Sequence, residues 1–110
     1  MEIFDSSKMI GGWFIGDFSP TVIKTKDFEV GVKIYNADVY QREKPHFHKI
    51  VTEVTFIVEG SAKVNNQIVH AGQIILVHPC EVVDFEPLST KLITVVAKFP
   101  SVIGDKFFSD

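Results

Sequence analysis

The sequence contains a single cysteine, Cys80, among 110 residues. One cysteine excludes an internal disulfide framework and indicates a reducing, intracellular compartment. Charged residues interrupt every apolar stretch well short of membrane-spanning length. The N-terminus, Met1-Glu2-Ile3-Phe4-Asp5, also lacks the basic region and apolar block of a secretory signal. We therefore expect a cytoplasmic protein that does not enter a membrane.

Runs of lysine or arginine are absent as well. The net charge is −3, with acidic and basic residues interspersed along the chain, so nucleic acid is not an expected partner. The composition, 45% hydrophobic and 23% charged, is ordinary for a globular protein. A chain of this length predicts one domain, residues 1–110, with an N-terminal arm over about 1–20 and a C-terminal arm over about 100–110.

The pattern of apolar residues predicts an all-β fold. The 10 phenylalanines, together with abundant Val and Ile, favour strands. Residues 28–35 alternate strictly, with Phe28, Val30, Val32 and Ile34 on one face. Asn65-Asn66 suits a two-residue hairpin turn between 61–64 and 67–70, and 91–99 forms the last long strand. About eight short strands and no convincing helical window predict a small β-barrel or a double-sheet jelly roll.

The stretch from Ile50 to Val58 is apolar on both faces. Val54, Phe56 and Val58 alternate with Glu53, Thr55 and Ile57. A strand with two apolar faces is normally covered on both sides, and in a chain this short the second cover can be another subunit. We therefore expect a two-fold homodimer.

The chemistry concentrates in His46-Phe47-His48 and Glu53, followed by Gly60. Histidines two residues apart share one face of a strand, and a carboxylate five residues further on can join them if the chain bends. Two imidazoles and a carboxylate form a partial shell for a divalent transition metal and leave positions open. The alternative for each residue is structural: hydrogen-bonded imidazoles near a loop, and a solvent-facing glutamate.

The spacing His46-x-His48-x4-Glu53-x6-Gly60 resembles the first motif of the cupin superfamily without a gap. The resemblance extends from about Val30 to about Phe99. It implies a jelly-roll barrel of the double-stranded β-helix type, commonly dimeric, with a metal such as Fe, Mn, Zn or Ni in the barrel mouth. It also implies that His46, His48 and Glu53 are metal ligands.

The second cupin motif is altered in this chain. Cupins usually place a fourth ligand, a histidine, where this sequence has Val83 and then Asp84. A carboxylate can replace an imidazole for iron, manganese or zinc, so Asp84 is the candidate substitute. Its structural alternative is a strand-end carboxylate in a turn. Without Asp84 the site keeps two histidines and one carboxylate.

Other residues carry weaker signals. Lys33 and Tyr35 share a strand face with Glu29 and are candidates to point into the barrel. Trp13 is interpreted as a packing residue rather than a ring that stacks on a ligand. His70 and His78 are interpreted mainly as surface residues.

Three functions agree with these residues. The first is a metal-binding cupin that binds or acts on a small oxygenated metabolite. The second is a metal-free isomerase or epimerase of nucleotide-linked sugars, in which His46 or His48 is the base and Tyr35 or Tyr40 the acid. The third is a non-catalytic module that binds a small ligand. In each case the partner is a small molecule.

Overall fold

The computed structural model describes residues 1–39 and 42–109. Within them the chain forms one 3₁₀ turn, Ser6–Lys8, and eleven strands. The strands are β1 Trp13–Gly16, β2 Ile23–Lys24, β3 Glu29–Asn36, β4 His46–Phe47, β5 Thr52–Glu59, β6 Ser61–Val64, β7 Gln67–His70, β8 Ile74–Val77, β9 Phe85–Pro87, β10 Lys91–Phe99 and β11 Phe107–Phe108.

The strands form three sheets. A six-stranded sheet has the order β2-β1-β3-β10-β5-β8, a three-stranded sheet has the order β7-β6-β9, and β4 pairs with β11. The long strand β10 lies antiparallel between β3 and β5. The predicted all-β jelly-roll fold is confirmed, although backbone hydrogen bonds between the described strands do not join the three sheets into one closed barrel.

The hairpin of β6 and β7 forms as the sequence predicts. Asn65 and Asn66 lie between the two strands with φ of 46° and 67°. Positive φ at both central residues is the geometry of a type I′ turn, whose twist matches that of the flanking strands. Asn adopts this region more readily than most other residues.

The inner face of the large sheet is the more polar one. In β3 the buried residues are Glu29 and Gly31, whereas Ile34 on the opposite face is 68% exposed. In β5 Thr55 and Ile57 are buried, whereas Phe56 on the opposite face is exposed. The faces therefore alternate as predicted, but in β3 the more apolar face points outward.

The fully buried core occupies one end of the jelly roll. Ile57, Ala62 and Leu92 are each 0% exposed and contact one another, with Tyr35 and Phe85 packed beside them. Ala62 comes from the three-stranded sheet and the other two buried residues from the large sheet. This core joins the two sheets and leaves the other end of their interface open as a cavity.

Both terminal segments lie on the body. Residues 13–16 form β1, inside the six-stranded sheet. Near the C-terminus, β11 pairs with β4, and the Phe107 ring stacks on Phe47 at a centroid distance of 5.6 Å. Among the described residues, no helix has the length and hydrophobicity needed to cross a membrane.

Candidate functional site

A cavity of about 420 Å³ opens between the inner face of the large sheet and the segments that carry His46 and Val83. Its volume is within the range of pockets that bind small molecules. Ammonium groups from Lys33, Lys44, Lys98 and Lys106 line it, and so do the carboxylates of Glu43 and Glu53. An apolar wall completes it: Trp13, Tyr35, Val83, Phe85 and Val96.

Strand register explains which side chains reach the cavity. Residues directly opposite each other on neighbouring strands point to the same face of a sheet. Across β3, β10 and β5 this gives three successive rows: Glu29, Lys98 and Glu53; Gly31, Val96 and Thr55; and Lys33 and Thr94. The predicted ligand Glu53 and the lysine Lys98 are therefore direct cross-strand neighbours.

His48 is held in a single orientation. Its side chain is buried, and its Nδ1 makes a hydrogen bond with the backbone carbonyl of Asp105. A carbonyl only accepts, so Nδ1 carries the proton and donates it. The other ring nitrogen, Nε2, lies 3.1 Å from Oε2 of Glu53. A carbonyl that fixes a histidine in this way is the usual support behind a metal-binding imidazole.

The contact between His48 and Glu53 needs a positive charge. With Nδ1 protonated, a neutral His48 would present a lone pair to the carboxylate, which only accepts. Either a second proton on the ring or a cation between the groups resolves this. The hydrogen bond with Glu53 raises the pKa of His48. Burial pushes the pKa of Glu53 upward, but the hydrogen bond with His48 and the charge of Lys98 outweigh it, so that pKa is lowered.

His46 has the opposite electrostatic character. Its backbone N–H and C=O both pair with Val83, at 3.0 and 2.7 Å, and its side chain lines the cavity. Its ring lies edge-on to His48, with centroids 5.4 Å apart. Burial and the nearby charge of Lys106 lower the pKa of His46. A neutral imidazole is the form that binds a metal or accepts a proton.

The structure does not bring Asp84 to the cavity. Val83 lines it, at the place where the resemblance expects the fourth ligand, and side-chain alternation turns Asp84 away. The Asp84 carboxylate accepts hydrogen bonds from Arg42 at 2.9 and 2.7 Å. Ligation by Asp84 would first require this ion pair to separate and the side chain to turn inward.

The residues predicted to bind a metal are brought together only in part. Among the residues that the structure describes, no group of three or more His, Cys, Asp or Glu side chains is close enough to hold an ion as it stands. The separation of 3.1 Å between His48 Nε2 and Glu53 Oε2 nevertheless suits two ligands of one metal. Two atoms each about 2.1 Å from an ion, at a right angle, are about 3.0 Å apart. The positions of His48 and Glu53 therefore suit a metal, but no third ligand among the described residues lies close enough in this conformation.

The remaining candidates divide between the cavity and the surface. Tyr35 and Lys33 both line the cavity, and the Tyr35 ring packs 5.6 Å from that of Phe85. Tyr40, the other candidate acid, lies outside the described residues. His70 and His78 are exposed and do not line the cavity.

Sequence reasoning missed Lys98 and Thr94, which line the cavity, and interpreted Trp13 only as a packing residue. Lys98 and Thr94 are polar residues of a mostly apolar strand. Side-chain alternation places both on the face that lines the cavity. Trp13 packs, as interpreted, but also lines the cavity. The residue in the sequence that relates to the position of Trp13 is Gly31. A Cβ at Gly31 would lie 2.7 Å from the indole, so only glycine leaves room for the ring.

Comparisons with known proteins rest on structure alone. No protein-family model matches the sequence, and no curated protein matches it significantly. An uncharacterized conserved protein with a double-stranded β-helix domain from Klebsiella pneumoniae superposes with a TM-score of 0.66 at 21% identity, covering 77% of this chain and 72% of that one.

Two further solved structures share the fold at low identity. A cupin protein from Bacteroides fragilis has a TM-score of 0.55 and 16% identity, with 77% of this chain and 75% of that one covered. The DMSP lyase DddQ from Ruegeria pomeroyi has a TM-score of 0.64 and 11% identity, and the match covers 78% of this chain but only 45% of that one. The chain therefore has a double-stranded β-helix fold, as the protein from Klebsiella pneumoniae does.

Proposed function

We propose that this protein is a metal-binding cupin that binds or acts on a small oxygenated metabolite in its cavity. The observation that carries the proposal is the pairing of His48 Nε2 with Glu53 Oε2 at 3.1 Å, with His48 oriented from behind by the Asp105 carbonyl. His46 lines the same cavity as the third candidate ligand.

In this proposal His46, His48 and Glu53 hold a divalent ion of the Fe, Mn, Zn or Ni class. Two imidazoles and one carboxylate leave coordination positions open to a ligand. The ion would polarise an oxygen of the metabolite. The Asp105 carbonyl holds His48 with its Nε2 toward Glu53, and the charge of Lys98 favours ionised Glu53. The apolar wall would cover the ligand. A cytoplasmic location remains the expectation from the single cysteine.

Metal titration tests the proposal directly. Protein stripped with a chelator is titrated with Zn²⁺, Mn²⁺, Ni²⁺ and anaerobic Fe²⁺ in a calorimeter, and tag-free protein is analysed for bound elements. We expect one equivalent of metal per chain. The His48→Ala variant should lose more than about tenfold in affinity, because even a group that only orients a ligand contributes that much.

His78→Ala is the matched control, since His78 is exposed and lies outside the cavity. It should bind metal as the unmodified protein does. Absence of stoichiometric metal, both in the purified protein and on titration, would refute the proposal.

The lowered pKa of His46 favours a second candidate, a metal-free isomerase or epimerase. A neutral imidazole beside a cavity can remove a proton next to a carbonyl, with Tyr35 as a candidate acid. In deuterated water the chelator-treated protein would then incorporate deuterium at C3 or C5 of a nucleotide-linked keto-sugar, and His46→Gln would not. No exchange with any such sugar rejects this candidate, and ligand binding without turnover would indicate a non-catalytic module.

A further inference from the structure

The cavity contains a polar group that nothing in the described structure satisfies. Thr94 is 1% exposed and lines the cavity, and its Oγ1 has no hydrogen-bond partner among the described residues. Buried hydroxyls are almost always paired, because an unpaired one destabilises the fold. A buried hydroxyl of a residue that lines a cavity of ligand size, with no partner in the fold, therefore points to a partner supplied by a ligand.

Lys33 lies directly across the sheet from Thr94, since the two are paired residues of β3 and β10. The Lys33 ammonium donates a hydrogen bond to the Gly11 carbonyl and lies 4.4 Å from the centroid of the Trp13 ring. Among the described residues it has no carboxylate within ion-pair distance. The Lys33 side chain is thus held in place by an aromatic ring and makes no ion pair among the described residues.

The carboxylates of the cavity are already engaged elsewhere. Glu53 pairs with His48, and Glu43 accepts hydrogen bonds from Lys106 at 3.2 and 3.1 Å. The charges of Glu43 and Glu29 favour the charged form of Lys33 but do not outweigh its burial and its lysine neighbours. Burial, followed by the charges of Lys98 and Lys106, lowers the pKa of Lys33. An anion beside Lys33 would relieve this repulsion.

The cross-strand row that contains Lys33 and Thr94 and the row that contains Lys98 and Glu53 lie at different ends of the cavity. Thr94 and Lys98 are four residues apart on β10, which is about 13 Å along a strand. Lys98 is the cross-strand partner of Glu53. A ligand can therefore present one end to Lys33 and Thr94 and the other to the histidine end, with Val96 between them.

We propose that the cavity binds a small organic acid, whose carboxylate accepts hydrogen bonds from Lys33 Nζ and Thr94 Oγ1. The body of the acid lies against Val96 and Phe85. This names the chemical class of the metabolite and in that respect rests on the proposed function, but the contacts to the carboxylate need no metal.

The test uses chelator-treated protein, so that it does not depend on metal. Butanoate and its neutral analogue butanamide are titrated into ¹⁵N-labelled protein, and amide shifts are followed by NMR. We expect butanoate to shift amides of β3 and β10 and to bind at least about tenfold more tightly than butanamide, because the hydrogen bonds to a carboxylate are charge-assisted.

Variants assign the contacts. Lys33→Met keeps the aliphatic stem on Trp13 and removes the charge, and it should weaken butanoate binding about tenfold. Thr94→Val should also weaken it, Lys33→Arg should retain it, and Lys24→Met, which alters an exposed lysine on β2, should leave it unchanged. Should Lys33→Met not fold, Lys33→Arg and Thr94→Val still decide the matter.

Three results would overturn the proposal: no butanoate-dependent shifts, equal affinity for butanoate and butanamide, or unchanged butanoate binding in both Lys33→Met and Thr94→Val. A separate metal titration of the same protein keeps the two proposals distinguishable. Loss of metal binding alone rejects the metal site, whereas loss of butanoate binding alone rejects the carboxylate site.

Discussion

The hydroxyl of Thr94 should lower the stability of the ligand-free protein. It is buried and unpaired, and a group of this kind costs about 1–3 kcal/mol. Valine has nearly the same shape without the polar atom, so Thr94→Val should raise the free energy of unfolding by about 1 kcal/mol. Urea denaturation of metal-free protein measures the change.

Thr21→Val provides the contrast for Thr94→Val. The Thr21 hydroxyl lies 3.1 Å from the Phe14 carbonyl and 2.9 Å from that of Ile23. Removing a satisfied hydroxyl should reduce stability by about 1 kcal/mol. If Thr94→Val destabilised the protein as Thr21→Val does, the hydroxyl of Thr94 would have a partner within the fold.

Asp105 links the C-terminal segment to the residues just before the strand that carries Glu53. It is buried, and its carboxylate accepts backbone hydrogen bonds from Lys49, Ile50 and Val51, each 2.9 Å long. An amide cannot accept all three, because one of its two terminal atoms is a donor. Asp105→Asn should therefore cost about 2–3 kcal/mol of stability.

The stabilising effect of Asp105 should depend on pH. Burial opposes ionisation, but the three backbone N–H groups outweigh it and lower the pKa of Asp105 below its ordinary value. Because the pKa of Asp105 is lower in the folded protein than in the unfolded chain, the ionised carboxylate stabilises the fold fully above about pH 4. That stabilisation is lost as the pH falls through the folded-state pKa.

The stability difference between the unmodified protein and Asp105→Asn should thus shrink below about pH 4. Urea midpoints between pH 2.5 and 7 measure it. Asp27→Asn, at an exposed aspartate, controls for the general effect of removing an acid. A difference that stayed constant over this range would show that ionised Asp105 is not what stabilises the segment.

At the scale of elements, the C-terminal strand β11 supports the short strand that presents His46. Phe107 stacks on Phe47 and lies 4.1 Å from the Lys49 ammonium. Phe107→Ala should cost about 1–2 kcal/mol, less than at a fully buried site. It should also weaken metal binding, because Phe47 of β4 loses the ring that stacks on it.

Phe108→Ala is the control for Phe107→Ala. Phe108 is 57% exposed, so its loss should change stability and metal affinity little. Thermal unfolding and metal titration of both variants make the comparison. Equal effects of the two substitutions would mean that β11 acts through its backbone pairing and not through the ring of Phe107.

Elements with a local cause could be predicted from the sequence. The β6–β7 hairpin follows from Asn65 and Asn66, whose tolerance of positive φ is a property of the residues themselves. The strand Lys91–Phe99 forms with the predicted bounds, because a long β-branched run needs no distant partner to be recognised. The histidine and glutamate spacing placed His48 and Glu53 together.

Features that depend on distant contacts could not be predicted. Alternation gives two faces for β3 but not which one points inward, and the buried face proved to be that of Glu29 and Gly31. The role of Asp105 depends on residues more than fifty positions away. The choice between Val83 and Asp84 depends on how the strand segment beside His46 is turned, which one residue of register decides.

At the scale of the whole molecule, the large sheet has a charged inner face and an apolar outer face. The outer faces of β5 and β8 together expose large apolar side chains, with Phe56 41%, Val58 46%, Ile74 64% and Leu76 54% exposed. Phe56 and Ile74 are direct cross-strand partners, so these side chains form one continuous patch. Such contiguous apolar surface is typical of a protein–protein interface.

We propose that a second copy of the chain covers this patch in a two-fold dimer. Sedimentation at micromolar concentration should then show a species of twice the 12.4 kDa chain mass. Phe56→Glu places a charge at the centre of the patch and should shift the protein to monomer, because burying an unpaired carboxylate is strongly unfavourable. Ile68→Glu, at a residue 58% exposed on β7, should leave the dimer intact. A monomeric unmodified protein would exclude the dimer. A dimer broken equally by both substitutions would mean that the interface is not centred on this patch.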